Sequence, residues 1–412
     1  MNTKLFKWRL FAGIAVCATC FSSTGVLAQA TIAPLLVGDD TDYRLEAKTV
    51  GPVALRPQII AAVTYDDNVI ASPEGTEVSD IEVVLRPELN ARVGDQKLSL
   101  QLNGFGEFSR FFDFSSENSD TYGANGLISF SPRVGDRLSL SAGYARLKEN
   151  RGDPEARLLA GPGPRLTDET SAAIAYRRNE GPIQLNLEAS FSDMDAVSPF
   201  DDDRDFQTFA GRATIGYRVS GPLSATVTGF VNSRDFRQEA SLLVPDRDAS
   251  TYGGQIGINI DESERLRGRL RLGIFRFDPQ DPSIAARTGF SADASIAYLP
   301  TRRLAFVLEG FNGDVATFRQ GAQSRTDSRI AFTTQFEMRH NVYGRIGARW
   351  LKSRFVGSGI SEEIVGTNIG IEYLANRRLS LIAEASAAQR TSDDPSQEFE
   401  RFRFSLSARF RF

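Results

Sequence analysis

Arg401-Phe402-Arg403-Phe404-Ser405-Leu406-Ser407-Ala408-Arg409-Phe410-Arg411-Phe412 is the stretch that decides the fold. Phe402, Phe404, Leu406, Ala408, Phe410 and Phe412 take every second place. Arg401, Arg403, Ser405, Ser407, Arg409 and Arg411 take the others. Successive side chains of a strand point to opposite faces, so this strand has one apolar face and one face with four arginines. An arginine turned to lipid at mid-membrane costs ~2–4 kcal/mol. The arginine face therefore belongs to a wet interior, and the apolar face can meet lipid.

The same alternation recurs upstream. In Ile183-Gln184-Leu185-Asn186-Leu187-Glu188-Ala189-Ser190-Phe191 the odd positions are apolar and the even ones polar. Lys97–Asn103, Leu223–Thr228 and Leu379–Leu381 repeat it, and none has the 3.6-residue period of a helix. Above this lies a longer period. Turn signals centre on residues 94, 135, 180, 221, 262, 301, 341 and 376, in steps of 41, 45, 41, 41, 39, 40 and 35. Each step holds a strand, a longer polar loop and a strand, the repeat of an up-and-down barrel. Eight turns flank sixteen strands, and one strand precedes the set (56–65) and one follows it (398–412). The expected fold is all-β: a transmembrane antiparallel β-barrel of 18 strands, with 16 as the alternative count.

The chain's beginning reads as an export address. Lys4, Lys7 and Arg9 precede an apolar run from Leu10 to Cys20, and small residues around Ala28 offer a cleavage point. The run is too short to span a bilayer, so 1–28 is expected to be a cleaved signal peptide. Val16 and Thr19 precede Cys17 and Cys20, where a lipoprotein signal needs a very small residue. Both cysteines fall inside the signal, leaving no thiol chemistry beyond it. Cleavage removes three basic and no acidic groups, taking the formal charge from −4 to −7 and arguing against a nucleic-acid partner. No later apolar run is long enough for a membrane helix, which leaves a closed barrel as the spanning solution. Residues 29–55 form a periplasmic lead-in, and 56–412 form the barrel. The expected location is the outer membrane of a Gram-negative bacterium. Lipids and lipopolysaccharide would surround the barrel there.

Short turns mark the periplasmic side, and the longer connections face outside. The longest, Arg151–Thr167, contains Gly161-Pro162-Gly163-Pro164. It is either a constriction element folded into the pore or an ordinary surface loop. Inside, Arg265, Arg267, Arg269 and Arg271 form a ladder on one strand face, with Asp293 on the polar face of the next. Arg345 and Arg349, Glu188, Arg403 and Arg409 complete the pore-lining candidates. Such charges either set a field across a pore or pair off and hold the wall. Phe105 and Phe230 also fall on polar faces. Asp66-Asp67-Asn68 and Asp201-Asp202-Asp203 are expected at the outer rim as solvated loops. No cofactor or metal motif is present. The single histidine, His340, sits at a turn without a nucleophile motif, so no enzyme is expected.

Phe410 and Phe412 end an alternating strand in a way that resembles the signal read by the barrel assembly machinery. Thr64-Tyr65-Asp66-Asp67-Asn68-Val69, Leu85-Arg86-Pro87, Phe108-Ser109-Arg110-Phe111, Asn118–Tyr122, Tyr144 and Arg151 resemble the beta-barrel porin family whose members are often called outer membrane beta-barrel proteins. Ile70 departs from it, where an aromatic residue is common. Members are often encoded beside exopolysaccharide genes, so the resemblance implies a part in polysaccharide export, with export proteins as partners. Three readings stand: a channel for small polar solutes or for exported polysaccharide; a structural or surface-attachment barrel without an open pore; and, last, a barrel enzyme. An 18-strand ring is wide enough for a channel.

Overall fold

The computed structural model describes residues 36, 43, 45–156, 163–238, 246–261, 265–319 and 321–412. The expected signal peptide, 1–28, and the Gly161-Pro162 pair lie outside them.

A short strand, β1 (Lys48–Val50), is followed by eighteen long ones: β2 (Val53–Asp66), β3 (Asp80–Gly94), β4 (Leu98–Phe111), β5 (Ser119–Phe130), β6 (Asp136–Lys148), β7 (Leu166–Arg178), β8 (Ile183–Ala196), β9 (Phe206–Ser220) and β10 (Leu223–Phe236). The rest are β11 (Ala249–Ile260), β12 (Leu266–Pro279), β13 (Arg287–Thr301), β14 (Leu304–Val315), β15 (Ser324–Arg339), β16 (Val342–Val356), β17 (Ser361–Leu374), β18 (Leu379–Ser392) and β19 (Phe399–Arg411). Every neighbour is antiparallel, and β19 pairs with β2 to close the ring. The expected count of 18 is therefore the observed one, and closure leaves the ring no unpaired edge.

Seven of the eight short turns fall where the spacing puts them, and the centre of the eighth, at 262, lies outside the described residues. At Asp95 the Oδ1 atom accepts from the Lys97 and Leu98 amides at 2.8 and 2.9 Å. Gly94 there has φ +99°, which a side chain would strain. Asn376 repeats the device on Arg378 and Leu379, at 2.8 and 3.0 Å. An Asx side chain thus closes two of the turns.

The outward faces carry the exposed apolar residues, among them Val63, Leu102, Ile174, Ile256 and Leu406. The inward faces carry the polar ones. The buried apolar clusters are small and sit at the two mouths, as expected where the lumen is polar. Met194, Phe206, Phe236, Ala316 and Phe318 pack together at the outer mouth.

The barrel wall begins at Val53, three residues before the expected boundary, and Lys48–Val50 folds back on it as a hairpin. The lead-in is also not free of the barrel. Leu36 packs inside the periplasmic mouth against Ala305, Tyr343 and Leu374, with Tyr43 and Leu299 beside them. Tyr43 faces the ring of His340 at 5.9 Å.

The candidate pore and its constriction

The described residues of the connection between β6 and β7, 149–156 and 163–165, run into the lumen. Its neck is closed by the Glu149 amide donating to the Arg165 carbonyl at 2.9 Å. From there its contacts move around the inner wall. Arg151 donates to Glu117 at 2.6 Å and to the Gly163 carbonyl at 2.6 Å. Arg401 of β19 donates to Asn150 Oδ1 at 3.3 Å, and Arg390 of β18 to the Asp153 carbonyl at 3.1 Å. Glu155 Oε1 accepts from Arg325 Nη1 of β15 at 2.8 Å, and its Oε2 from the Phe318 amide at 3.1 Å. Arg204 holds Glu149 at 2.8 Å and the Glu155 carbonyl at 2.6 Å. From β6 to β15 is nine steps round a ring of eighteen, so this strap is pinned to the opposite wall. Residues 152–156 are buried. Of the two readings of this loop, its described residues follow the inward one.

The physical cause is charge complementarity. Glu149 meets Arg204 of the β8–β9 loop and Glu155 meets Arg325 of β15, while Asp153 lies in the field of Arg390 of β18; Arg325 is shared with Asp327 at 2.9 Å. The Arg325 and Glu155 side chains are 2 % and 7 % exposed. Breaking a buried pair costs ~3–5 kcal/mol where the remaining charge is left alone; Arg325 keeps Asp327, so here the low end of that range is the ceiling.

Below the strap the inner wall is polar. Of the predicted ladder, Arg269 and Arg271 line the lumen, with Arg269 Nε 2.6 Å and Arg271 Nη1 3.8 Å from Asp293. Arg267 shares that face but is exposed toward the periplasmic end, and Arg265 is exposed in the turn. Glu188 lies opposite Arg212 in the β8–β9 register. Arg345 pairs with Glu384 at 2.5 Å and Arg409 with Glu372 at 3.0 Å. Arg403 lies 3.4 Å from Asp66 and 3.6 Å from Glu82. Arg349 lies across Gly366, where a Cβ would meet its Nε at 2.7 Å. Among the described residues no carboxylate comes within 4.0 Å of it. Pairing off thus accounts for Arg345 and Arg409, whereas the charges near Arg349 and Arg271 are left to act on the lumen. Phe410 and Phe412 are exposed on the outer face.

Two rim expectations change. Asp66, at the outer end of β2, is not solvated: it is 2 % exposed and bonded to Arg401 at 2.5 Å on the inner wall. Asp201 is buried beside Arg165 at 3.2 Å. Among the described residues no group of three His, Cys, Asp or Glu side chains could hold a metal ion. In the loop after β8, Asp205 accepts from the Ala196 amide at 2.7 Å and sits 4.0 Å from Arg237. Burial, with Asp195 beside it, pushes its carboxyl up to about 6. A lumenal recess of 320 Å³ lies over β3–β7, lined by Asn103, Phe105, Asn125, Glu169 and Ser171 among others.

Sequence reasoning missed Arg212, Arg325, Arg390 and Glu155. The strand-face parity that singled out Arg269 also marks Arg212 as inward. For the strap contacts, nothing local in the sequence pairs Glu155 with a residue 170 positions away.

The fold is similar to solved outer-membrane proteins at low identity. OccK2 (OpdF) of Pseudomonas aeruginosa is 12% identical, with 87% of this chain and 98% of that one covered and a TM-score of 0.47. OpdK of the same organism is 11% identical, with 87% and 99% covered and a TM-score of 0.48. The FrpB iron transporter of Neisseria meningitidis is 9% identical, with 87% and 81% covered and a TM-score of 0.45. No curated protein matches the chain. The family model described as "Putative beta-barrel porin 2" matches residues 43–412, and the chain belongs to that family of outer-membrane barrels.

Proposed function

We propose that this barrel is a channel for small polar solutes, narrowed at its outer mouth by the strap, whose described residues are 149–156 and 163–165. The strap's attachment to the far wall carries the reading. A structural barrel gains nothing from an ion-paired belt that divides its mouth. A channel gains a size limit and charged walls around the remaining path. The same strap disfavours a wide conduit for a polymer, so export of polysaccharide ranks behind small solutes. Among the described residues the ion pairs of the inner wall join arginines to carboxylates with no nucleophile–base arrangement, so transport is the reading we favour over catalysis. Cleavage of residues 1–28 and insertion by the barrel assembly machinery into a lipopolysaccharide-bearing membrane of a Gram-negative cell belong to this reading. Single-channel recording of the refolded protein in a planar bilayer tests it. Discrete conductance steps are expected, larger when Glu155→Ala frees the strap. Electrical silence from folded protein, wild type and Glu155→Ala alike, would remove the channel reading.

A further inference from the structure

Between Arg212 on β9 and Arg271 on β12 the inner wall has a floor of small side chains. Adjacent strands set it out in rows. In one row Glu188, Arg212, Phe230, Gly253 and Phe275 are successive register partners. In the next row inward-facing position follows Thr214, Thr228, Gln255 and Gly273. In the row below it Gly257, Arg271 and Asp293 are partners.

The glycines are required by what lies on them. A Cβ at Gly253 would meet the Phe230 ring at 2.7 Å, and one at Gly257 would meet Arg271 Cγ at 2.9 Å and the Leu270 carbonyl at 2.3 Å. The Phe230 ring and the Arg271 side chain thus lie flat along the wall and bound the floor on two sides. The Thr214 and Thr228 hydroxyls, 2.9 Å apart, occupy its centre, and Gln255 Nε2 donates to Ser291 Oγ at 2.8 Å beside them.

Like charges crowd together here. Arg212, Arg269 and Arg271 act on one another and on Asp293 and Glu188. Among the described residues three guanidiniums gather about two carboxylates, and the buried Arg271 Nε has no hydrogen-bond partner. Like charges gathered on a half-buried wall favour an anion between them. The apolar side is supplied by Phe230, half-buried and backed by the Ala249–Phe275–Phe277–Ile284 cluster.

We propose that this wall binds an organic monoanion: a carboxylate held between Arg212 and the Arg269–Arg271 pair, with an apolar body against Phe230. The site rests on the channel reading only for the route by which the solute arrives. Guanidinium is suited to a planar carboxylate through paired N–H donors. A neutral solute leaves the charge unmatched, and a bare carboxylate leaves the ring uncovered.

Calorimetric titration of the whole folded barrel in detergent, against empty micelles, tests the assignment. The probes are phenylacetate, acetate and 2-phenylethanol. Saturable binding of phenylacetate is expected, at least tenfold tighter than either control. Arg212→Gln and Arg271→Gln should each weaken phenylacetate tenfold or more. Arg212→Lys should keep part of the affinity, and Phe230→Ala should bring phenylacetate down to the acetate level. No saturable binding by the wild type overturns the proposal, as does binding indifferent to both arginine substitutions in protein shown to be folded by heat-modifiable gel mobility. The same solute in the bilayer separates this from the channel reading. A barrel that binds without conducting keeps the site and loses the channel, and one that conducts without binding does the reverse.

Discussion

Replacing Glu155 by alanine should release the strap. The carboxylate has two direct partners, Arg325 at 2.8 Å and the Phe318 amide at 3.1 Å. A buried pair broken on one side costs ~3–5 kcal/mol. Arg325 keeps Asp327 at 2.9 Å, so its charge is not stranded, and the low end of that range is the ceiling. The strap also keeps the Arg390–Asp153 and Arg151–Glu117 contacts. A loss of ~2 kcal/mol follows, which at 1.4 kcal/mol per decade is roughly a thirtyfold shift toward the released strap. Two assays read it. Hydrogen exchange at the Phe318 amide should speed by that factor, and single-channel records should show more frequent or longer wide-open episodes. Glu155→Gln, which can still accept from Phe318, should fall between. If folded Glu155→Ala protein exchanges at Phe318 as slowly as wild type, the strap is not held by this pair and the reasoning fails.

Three further outcomes are expected. Leu406→Arg puts a charge on the lipid face of β19 and should lower folding stability in liposomes by ~2–4 kcal/mol, whereas Ser407→Arg, on the lumenal face, should change it little. Gly273→Ala sets a Cβ 1.9 Å from the Gly254 carbonyl, so the strands must part; denaturant titration should show a loss of ~1–3 kcal/mol. Asp205 has its carboxyl raised to about 6, mainly by burial, so the folded loop holds the proton more tightly than the unfolded chain. Its stabilisation is fully present below about 4, the ordinary carboxylate value, and is lost as pH rises through about 6. Exchange at the Ala196 amide should rise across pH 5–7 beyond the intrinsic base-catalysed increase, and Asp205→Asn should abolish the excess.

The barrel was legible because its two periods are local. Alternation over six residues fixes which face of β19 is wet, and turns near every fortieth residue fix the hairpins. Part of the site was legible for the same reason: Arg269 and Arg271 sit on one strand, and Asp293 on the next. Arg212 stands alone between Gly211 and Ala213, with no repeat to draw attention to it. Its relation to Arg271 exists only once β10 and β11 lie between them. The strap was legible as a long, stiff loop, but its inward course depends on arginines supplied by β15, β18 and β19. Leu36 was missed because a short apolar run, Leu35-Leu36-Val37, matches any number of surfaces, and only the closed mouth of β13–β17 selects one.

The seam between β2 and β19 bears on how the molecule is made. Thr64 and Ser405 share a hydroxyl hydrogen bond at 3.0 Å across 341 positions of chain. Every other strand can find its neighbour a few tens of residues away, soon after synthesis. The seam cannot form until the last strand exists, and until then two ladders of unmet amides and carbonyls stay open at once. Such open edges invite pairing with other chains. Contacts this distant in sequence are also slow to close. The finished ring is therefore resistant to opening, while its immediate precursor is the most aggregation-prone species on the route. Escort to the membrane matters most for a chain that is nearly complete.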